Sequence, residues 1–198
     1  MNDLTFDFVK ILNEEKKSQD DDDDRIWKGC PFEPIQYLKP NNVGSFGEKI
    51  INLLCEKMDI SSNINGNKTK AQNIGDGIIN NKSIEIKTAR MGKNKTFQHE
   101  LGEFPWKSDY LLFVDITPKN IFIIIMKNFT QEFYLYDSNR KALPYFKNKI
   151  TRRKDKGNFK FTLSLKQICK KKDFILRIPL TFDINNNIIK YFFENNIK

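Results

Sequence analysis

Two apolar runs, Tyr110 to Ile116 (Tyr-Leu-Leu-Phe-Val-Asp-Ile) and Ile121 to Met126 (Ile-Phe-Ile-Ile-Ile-Met), lie on either side of Thr117-Pro118-Lys119-Asn120. β-Branched and aromatic side chains suit extended backbone, and an unbroken apolar run leaves no wet face. Both segments therefore read as buried central strands joined by a turn. A sheet built on them needs cover on both sides. The chain has the means, with 198 residues, 39% hydrophobic content and 17 Phe, enough for one domain with a sizeable core. Asp115, inside the first run, reads as a strand-end or turn-bonding carboxylate.

Upstream, Gly75 to Thr88 reads Gly-Asp-Gly-Ile-Ile-Asn-Asn-Lys-Ser-Ile-Glu-Ile-Lys-Thr. Asn80-Asn81 tolerates the positive φ of a tight turn, so Gly77 to Ile79 and Ser83 to Thr88 pair as a hairpin. The period of two puts Ile84 and Ile86 on one face, Glu85 and Lys87 on the other. With a two-residue loop, Ile79 opposes Lys82 and Asp76 opposes Glu85, their Cβ atoms roughly 5 Å apart. A loop shifted to Asn81-Lys82 puts Asp76 opposite Lys87 instead. Facing carboxylates repel unless a positive group lies between them, and Mg²⁺, held by one or two carboxylates plus water or phosphate oxygens, is such a group. Lys87 adds an amine beside it, and the glycines flanking Asp76 leave room for a nucleic-acid backbone. The plainer alternative is an amphipathic hairpin with a solvated Glu-Lys face.

Asp76, Glu85 and Lys87 resemble the signature of the PD-(D/E)XK nuclease superfamily: an Asp, a short spacer, then Glu/Asp-x-Lys on the next strand. Gly75 stands where the family name has Pro. The resemblance covers roughly residues 45 to 126. It implies an α/β (α+β) restriction-endonuclease-like core, a mixed four- to five-stranded sheet flanked by helices. It further implies a Mg²⁺-dependent endonuclease, with Mn²⁺ able to substitute, most like a type II restriction enzyme cutting double-stranded DNA to 5′-phosphate ends. Asp76, Glu85 and the carbonyl of Ile86 are the implied metal ligands, and Lys87 the residue that orients or deprotonates water. Many members carry an extra Glu on the preceding helix, here Glu48, and a polar residue on the following one, here Gln98. The Gln-x-x-x-Tyr pattern of one branch is absent, since Gly102 stands where its Tyr falls. The family also admits nicking subunits, repair nucleases and branched-DNA resolvases. A non-catalytic basic nucleic-acid-binding protein is the reading from another class.

The rest of the chain is read around this core. Asp3 to Lys17 forms a helix with Phe6, Val9 and Leu12 inward and Phe8 as a further inward candidate, followed by the acidic linker Asp20 to Asp24 and a Pro-punctuated ordered loop from Arg25 to Asn42. Ser45 opens a helix whose face is Phe46, Ile50, Leu53, Leu54 and Met58; Ser45 and Glu48 have capping-box spacing, the structural alternative for Glu48. Ser61 to Gln72 is a loop, Phe97 to Phe104 a short helix carrying Gln98, His99 and Glu100, Phe174 to Phe182 a strand, and Asn187 to Asn195 a terminal helix. Three regions follow: an N-terminal part to residue 44, the core at 45–126, and a basic recognition region at 127–198.

Charge supports a polyanionic partner. Net charge is +9, and it is uneven: residues 1–100 hold 15 Lys+Arg against 16 Asp+Glu, residues 101–198 hold 19 against 9. Arg140 to Lys172 alone contains 13 Lys+Arg and one acid, Asp155. Interleaved with Asn158, Phe159 and Phe161, this strip suits duplex DNA, with Arg140, Arg152, Arg153, Lys154, Lys156 and Lys160 as contacts. Arg90, Lys93 and Lys95, leaving the hairpin, and His99 are candidates for phosphates flanking the cut. Palindromic cutting favours a homodimer, or a heterodimer with another nuclease subunit. Cys30, Cys55 and Cys169 lack zinc or disulfide spacing and read as reduced cytoplasmic thiols. With one His, neither a spare-base triad nor a two-His metal site forms without it. No apolar stretch reaches about 18 residues, so a membrane span is not expected.

Overall fold

The computed structural model describes residues 3–16, 26–64, 75–102, 108–127, 150–153 and 156–198. The two apolar runs are strands β5 (Tyr110–Ile116) and β6 (Asn120–Lys127). They pair antiparallel, and every residue of β5 is buried. Around them the sheet orders as β1-β2-β3-β5-β6-β9, with β1 at Ser62–Asn63, β2 at Gly77–Ile79, β3 at Lys82–Arg90 and β9 at Ile175–Pro179. Only β3 and β5 run parallel. Among the described residues the mixed sheet is thus six strands wide, not four or five.

The hairpin has the two-residue turn: Asn80 and Asn81 take φ of 49° and 62°, and Ile79 faces Lys82. Both positive angles twist the connection in the sense that antiparallel strands require.

A second sheet lies against the first. The helix expected over Phe97 to Phe104 is a strand over its described residues, 97–102: β4 (Thr96–Gly102) pairs with β8 (Lys156–Ser164), which pairs with β7 (Thr151–Arg153). The cause is alternation: Phe97, His99 and Leu101 are buried, while Gln98 and Glu100 are exposed. Counting His99 as polar hides that period of two. Phe161 stacks on Phe113 of β5 with centroids 5.5 Å apart, joining the sheets. Ser164 and Gln167 cap the short helix α3 (Leu165–Ile168) that follows β8.

Helices cover the opposite face. Helix α2 (Pro40–Lys57) begins five residues before the expected Ser45. Pro40 presets its own φ and brings no N–H to satisfy, so it serves as a first helical residue. Lys39 is the N-cap, and Ser45 and Glu48 fall inside the helix, where no capping box forms. Phe46, Ile50, Ile51 and Leu54 are buried. Helix α1 (Asp3–Lys16) buries Leu4, Phe8 and Leu12, whereas Phe6, expected inward, is 67% exposed. Phe8, Phe32 and Phe46 form a chain of ring contacts from α1 through the Pro-rich loop, with its 3-10 turn at Glu33–Tyr37, to α2. Helix α4 (Asn186–Asn196) buries Ile189, Phe192 and Phe193 but leaves Ile188 and Tyr191 outside. The Tyr110 hydroxyl donates to the Lys198 carbonyl at 2.9 Å, tying the chain end to β5. The acidic run Asp20 to Asp24 and the loop residues 65–74 lie outside the described residues.

Two contacts seat β3. Gly47 of α2 faces Thr88: a Cβ there meets the Thr88 Oγ1 at 1.8 Å, so only glycine lets the helix approach this strand. Asp109 accepts both the N–H and the hydroxyl of Ser83, at 2.9 and 2.8 Å, and those bonds hold its carboxyl below the ordinary aspartate range.

Gly47→Ala is expected to destabilise the fold by about 1–3 kcal/mol through overpacking, measured by urea unfolding. Gly44→Ala, whose Cβ meets nothing within 4 Å, is the control and stays close to wild type. For Asp109, a carboxyl whose pKa falls on folding adds stability above its unfolded pKa of about 3.9 and loses it as pH falls through the folded value. Asp109→Ala therefore unfolds more easily than wild type at neutral pH, and the two melting curves converge as the pH falls through the lowered folded value.

Candidate functional site

Strand β2 pairs with β3 only from Gly77–Ile84 to Ile79–Lys82. Beyond Ile84 no strand among the described residues lies beside that edge of β3. Asp76 takes the place of one. Its N–H donates to the Ile84 carbonyl at 2.8 Å, and its carboxylate Oδ2 accepts the Ile86 N–H at 2.7 Å. Those bonds fall on the neighbours of Glu85, so Asp76 lies across from Glu85. In a strand the N–H and C=O of one residue point the same way. The Ile86 carbonyl therefore also faces this edge, next to the Asp76 carboxylate.

Facing residues in the parallel ladder are Glu85 with Leu111, Lys87 with Phe113 and Ala89 with Asp115. Phe113 and Asp115 touch His99 of β4, so Glu85 and Lys87 point to the β4 side, while Thr88 points to α2. A cleft of about 850 Å³ runs along the open edge with α2 and β4 as its walls. Glu48, Asp76, Glu85, Ile86, Lys87 and Gln98 all line it. Asp76 and Glu85 are only 6% and 8% exposed, and the Lys87 ammonium forms an ion pair with Glu85 Oε1. Burial of a carboxylate is tolerated only with such partners.

Gly75 takes φ +89°, and a Cβ on it lies 2.3 Å from the Ile84 carbonyl oxygen. A Cβ on Gly77 lies 2.9 Å from the Asn63 carbonyl oxygen. These glycines make room for the protein's own backbone, not for an approaching nucleic acid. Proline at position 75 is ruled out as well, since its ring fixes φ near −65°.

The remaining expected contacts divide. Gln98 is on the wet face of β4, as a strand residue. Lys93 and Lys95 are exposed in the turn before β4. The Arg90 guanidinium borders the cleft but donates to the Ile35 carbonyl at 2.5 Å and to that of Gln36. Lys160 is exposed on β8, 3.3 Å from Glu100. Arg152, Arg153 and Lys156 are in β7 and β8, their side chains outside the described residues, as are Arg140 and Lys154 altogether.

His99 is no surface contact. Its side chain is fully buried, with Nε2 2.8 Å from Asp115 Oδ1 and the ring 4.3 Å from Phe113. Asp115, one residue from the end of β5, bonds no turn: it is fully buried and faces an imidazole. Burial pushes the Asp115 carboxyl up, and the His99 charge opposes that. Glu100 is the cleft residue that sequence reading passed over. It accepts from Asn158 Nδ2 at 3.1 Å and from Lys160, which hold its carboxyl down. The alternation of β4 was the signal that could have found it.

The donors at the open edge are oxygens, from Asp76, Glu85 and the Ile86 carbonyl, and oxygen sets suit hard cations. Among the described residues no group of three or more His, Cys, Asp or Glu could hold a metal by itself. A cation at this edge would thus complete its shell with water, as Mg²⁺ commonly does. Comparison with protein-family models, curated proteins and solved structures finds no match to this chain. No helix among the described residues is long and apolar enough to cross a membrane.

Asp115→Ala is expected to cost about 3–5 kcal/mol in chemical denaturation, because it strands a buried imidazole. Replacing both partners, His99→Phe with Asp115→Leu, recovers most of that loss.

Proposed function

We propose that this chain is a Mg²⁺-dependent endonuclease of the PD-(D/E)XK type acting on double-stranded DNA, most like a type II restriction enzyme. One observation carries the reading: Asp76, Glu85 and Lys87, from two neighbouring strand segments, meet at an open sheet edge inside a cleft that Glu48 overhangs. A merely solvated hairpin face has no need to bury its two carboxylates. The mixed sheet flanked by helices agrees with a restriction-endonuclease-like core, and the net charge of +9 with a DNA partner.

When bound, Mg²⁺ lowers the pKa of a water and offsets charge on the scissile phosphate. The chain supplies the rest. Asp76, fixed by the Ile86 N–H, and Glu85 would hold the ion with the Ile86 carbonyl, and Glu48 and Gln98 would orient water or phosphate oxygens from the two walls. Lys87, freed from Glu85, faces the attacking water and takes up or steers its proton. The leaving 3′ oxygen departs in line and the phosphate stays on the 5′ end. Cutting both strands of a palindrome calls for a second subunit, from a homodimer or a related nuclease chain.

Incubating the full chain with supercoiled plasmid and Mg²⁺ or Mn²⁺ tests this reading. Glu85→Ala is expected to lower cleavage at least about 100-fold, on the scale of losing one electrostatic contact in the transition state. Its DNA binding in Ca²⁺ stays within a few-fold of wild type. Undiminished cleavage by that variant removes the assigned site, and no cleavage by wild type leaves the non-catalytic binding protein.

A further inference from the structure

We propose that the exposed face of the second sheet reads base edges in the DNA major groove, with Glu100, Asn158 and Thr162 as the reading side chains. This inference rests on the nuclease reading above for its partner, duplex DNA.

Alternation along paired β4 and β8 sends Phe97, His99, Leu101, Phe159, Phe161 and Leu163 inward. Outward stand Gln98 and Glu100 on β4, and Asn158, Lys160 and Thr162 on β8. In register, Gln98 faces Thr162 and Glu100 faces Lys160. A face built to grip phosphates in so lysine-rich a chain would be mainly ammonium. Among the described side chains this one is two amides, a carboxylate, a hydroxyl and one ammonium. Such groups gain little from phosphates but match base edges: amides pair with adenine, a carboxylate accepts from the cytosine amino group, and Thr contacts several bases.

Three further observations support it. The face continues into the cleft, since Thr96, Gln98 and Glu100 line both. Glu100 is pre-set by Asn158 at 3.1 Å and Lys160 at 3.3 Å, which hold the groups in a fixed pattern and keep a lone carboxylate from repelling DNA. At the Thr96–Ser164 end the Leu165 N–H donates to the Lys95 carbonyl, gathering exposed Lys93, Lys95 and Lys166 there. A cationic end can grip the backbone while the neutral middle reads the groove, which admits β-strands.

The test is selection of binding sites from random-sequence duplexes by the full chain in Ca²⁺, with plasmid cleavage in Mg²⁺ measured separately. Wild type is expected to enrich a defined motif. Asn158→Ala and Thr162→Val are expected to lose preference at one or two positions of that motif, about tenfold each. They keep the wild-type melting temperature and bind unrelated duplex within about twofold of wild type. Lys93→Ala with Lys95→Ala instead weakens binding to all sequences and flattens its salt dependence. The same motif recovered at the same strength by both reading variants overturns the proposal. So does a wild-type chain that binds duplex with no preference, or not at all. Cleavage without a motif sinks this inference and spares the nuclease; a motif without cleavage does the reverse.

Discussion

The candidate site depends on the early end of one strand. β2 pairs with three residues of β3, and β3 continues for six more. An open sheet edge carries unpaired N–H and C=O groups, which folded proteins ordinarily cover. Here the first of them is met by a side chain, Asp76, and not by backbone. The consequence is chemical: a carboxylate is fixed beside an outward-facing carbonyl, with Glu85 one step away. Gly75 makes this possible, because only a residue free to take φ +89° can lead the chain past Ile84.

Walls on both sides then turn an edge into a cleft. Gly47 lets α2 settle against Thr88, so the next residue, Glu48, hangs over the edge from one side. On the other side β4 is clamped by Phe161 on Phe113 and by His99 against Asp115. A buried polar pair of this kind adds little net stability over an apolar substitute but penalises any misplacement, because either member left alone is costly. That fits a pair whose position fixes how β4 sits beside β3. The single histidine thus shapes the cleft from behind.

How much of this the sequence disclosed follows from the range of each signal. The turn at Asn80-Asn81, the register of the hairpin and the buried strands β5 and β6 are written in neighbouring residues, and all were legible. The start of α2 was misread because Ser45 and Glu48 imitate a cap that Pro40 had already made unnecessary. β4 was misread because its inward row includes a histidine, which looks polar until its partner 16 residues later is known. Phe6 and Tyr191 are apolar yet exposed, and no local pattern separates them from their buried neighbours. Alternation along β4 puts Glu100 on the wet face, but its setting comes from β8, whose Asn158 and Lys160 are about 60 residues away.

The electrostatics of the cleft close the argument. Two carboxylates under one-tenth exposed, lying across from each other, strain a fold unless something positive answers them. The Ile86 N–H answers Asp76, and the Lys87 ammonium answers Glu85. On the proposed reading that second answer is provisional. A divalent ion at the open edge competes with Lys87 for Glu85, and the displaced ammonium is then left one pleat along, facing the water and phosphate it is proposed to serve. The ammonium that balances the buried Glu85 carboxylate and the amine proposed to act on water would be the same group.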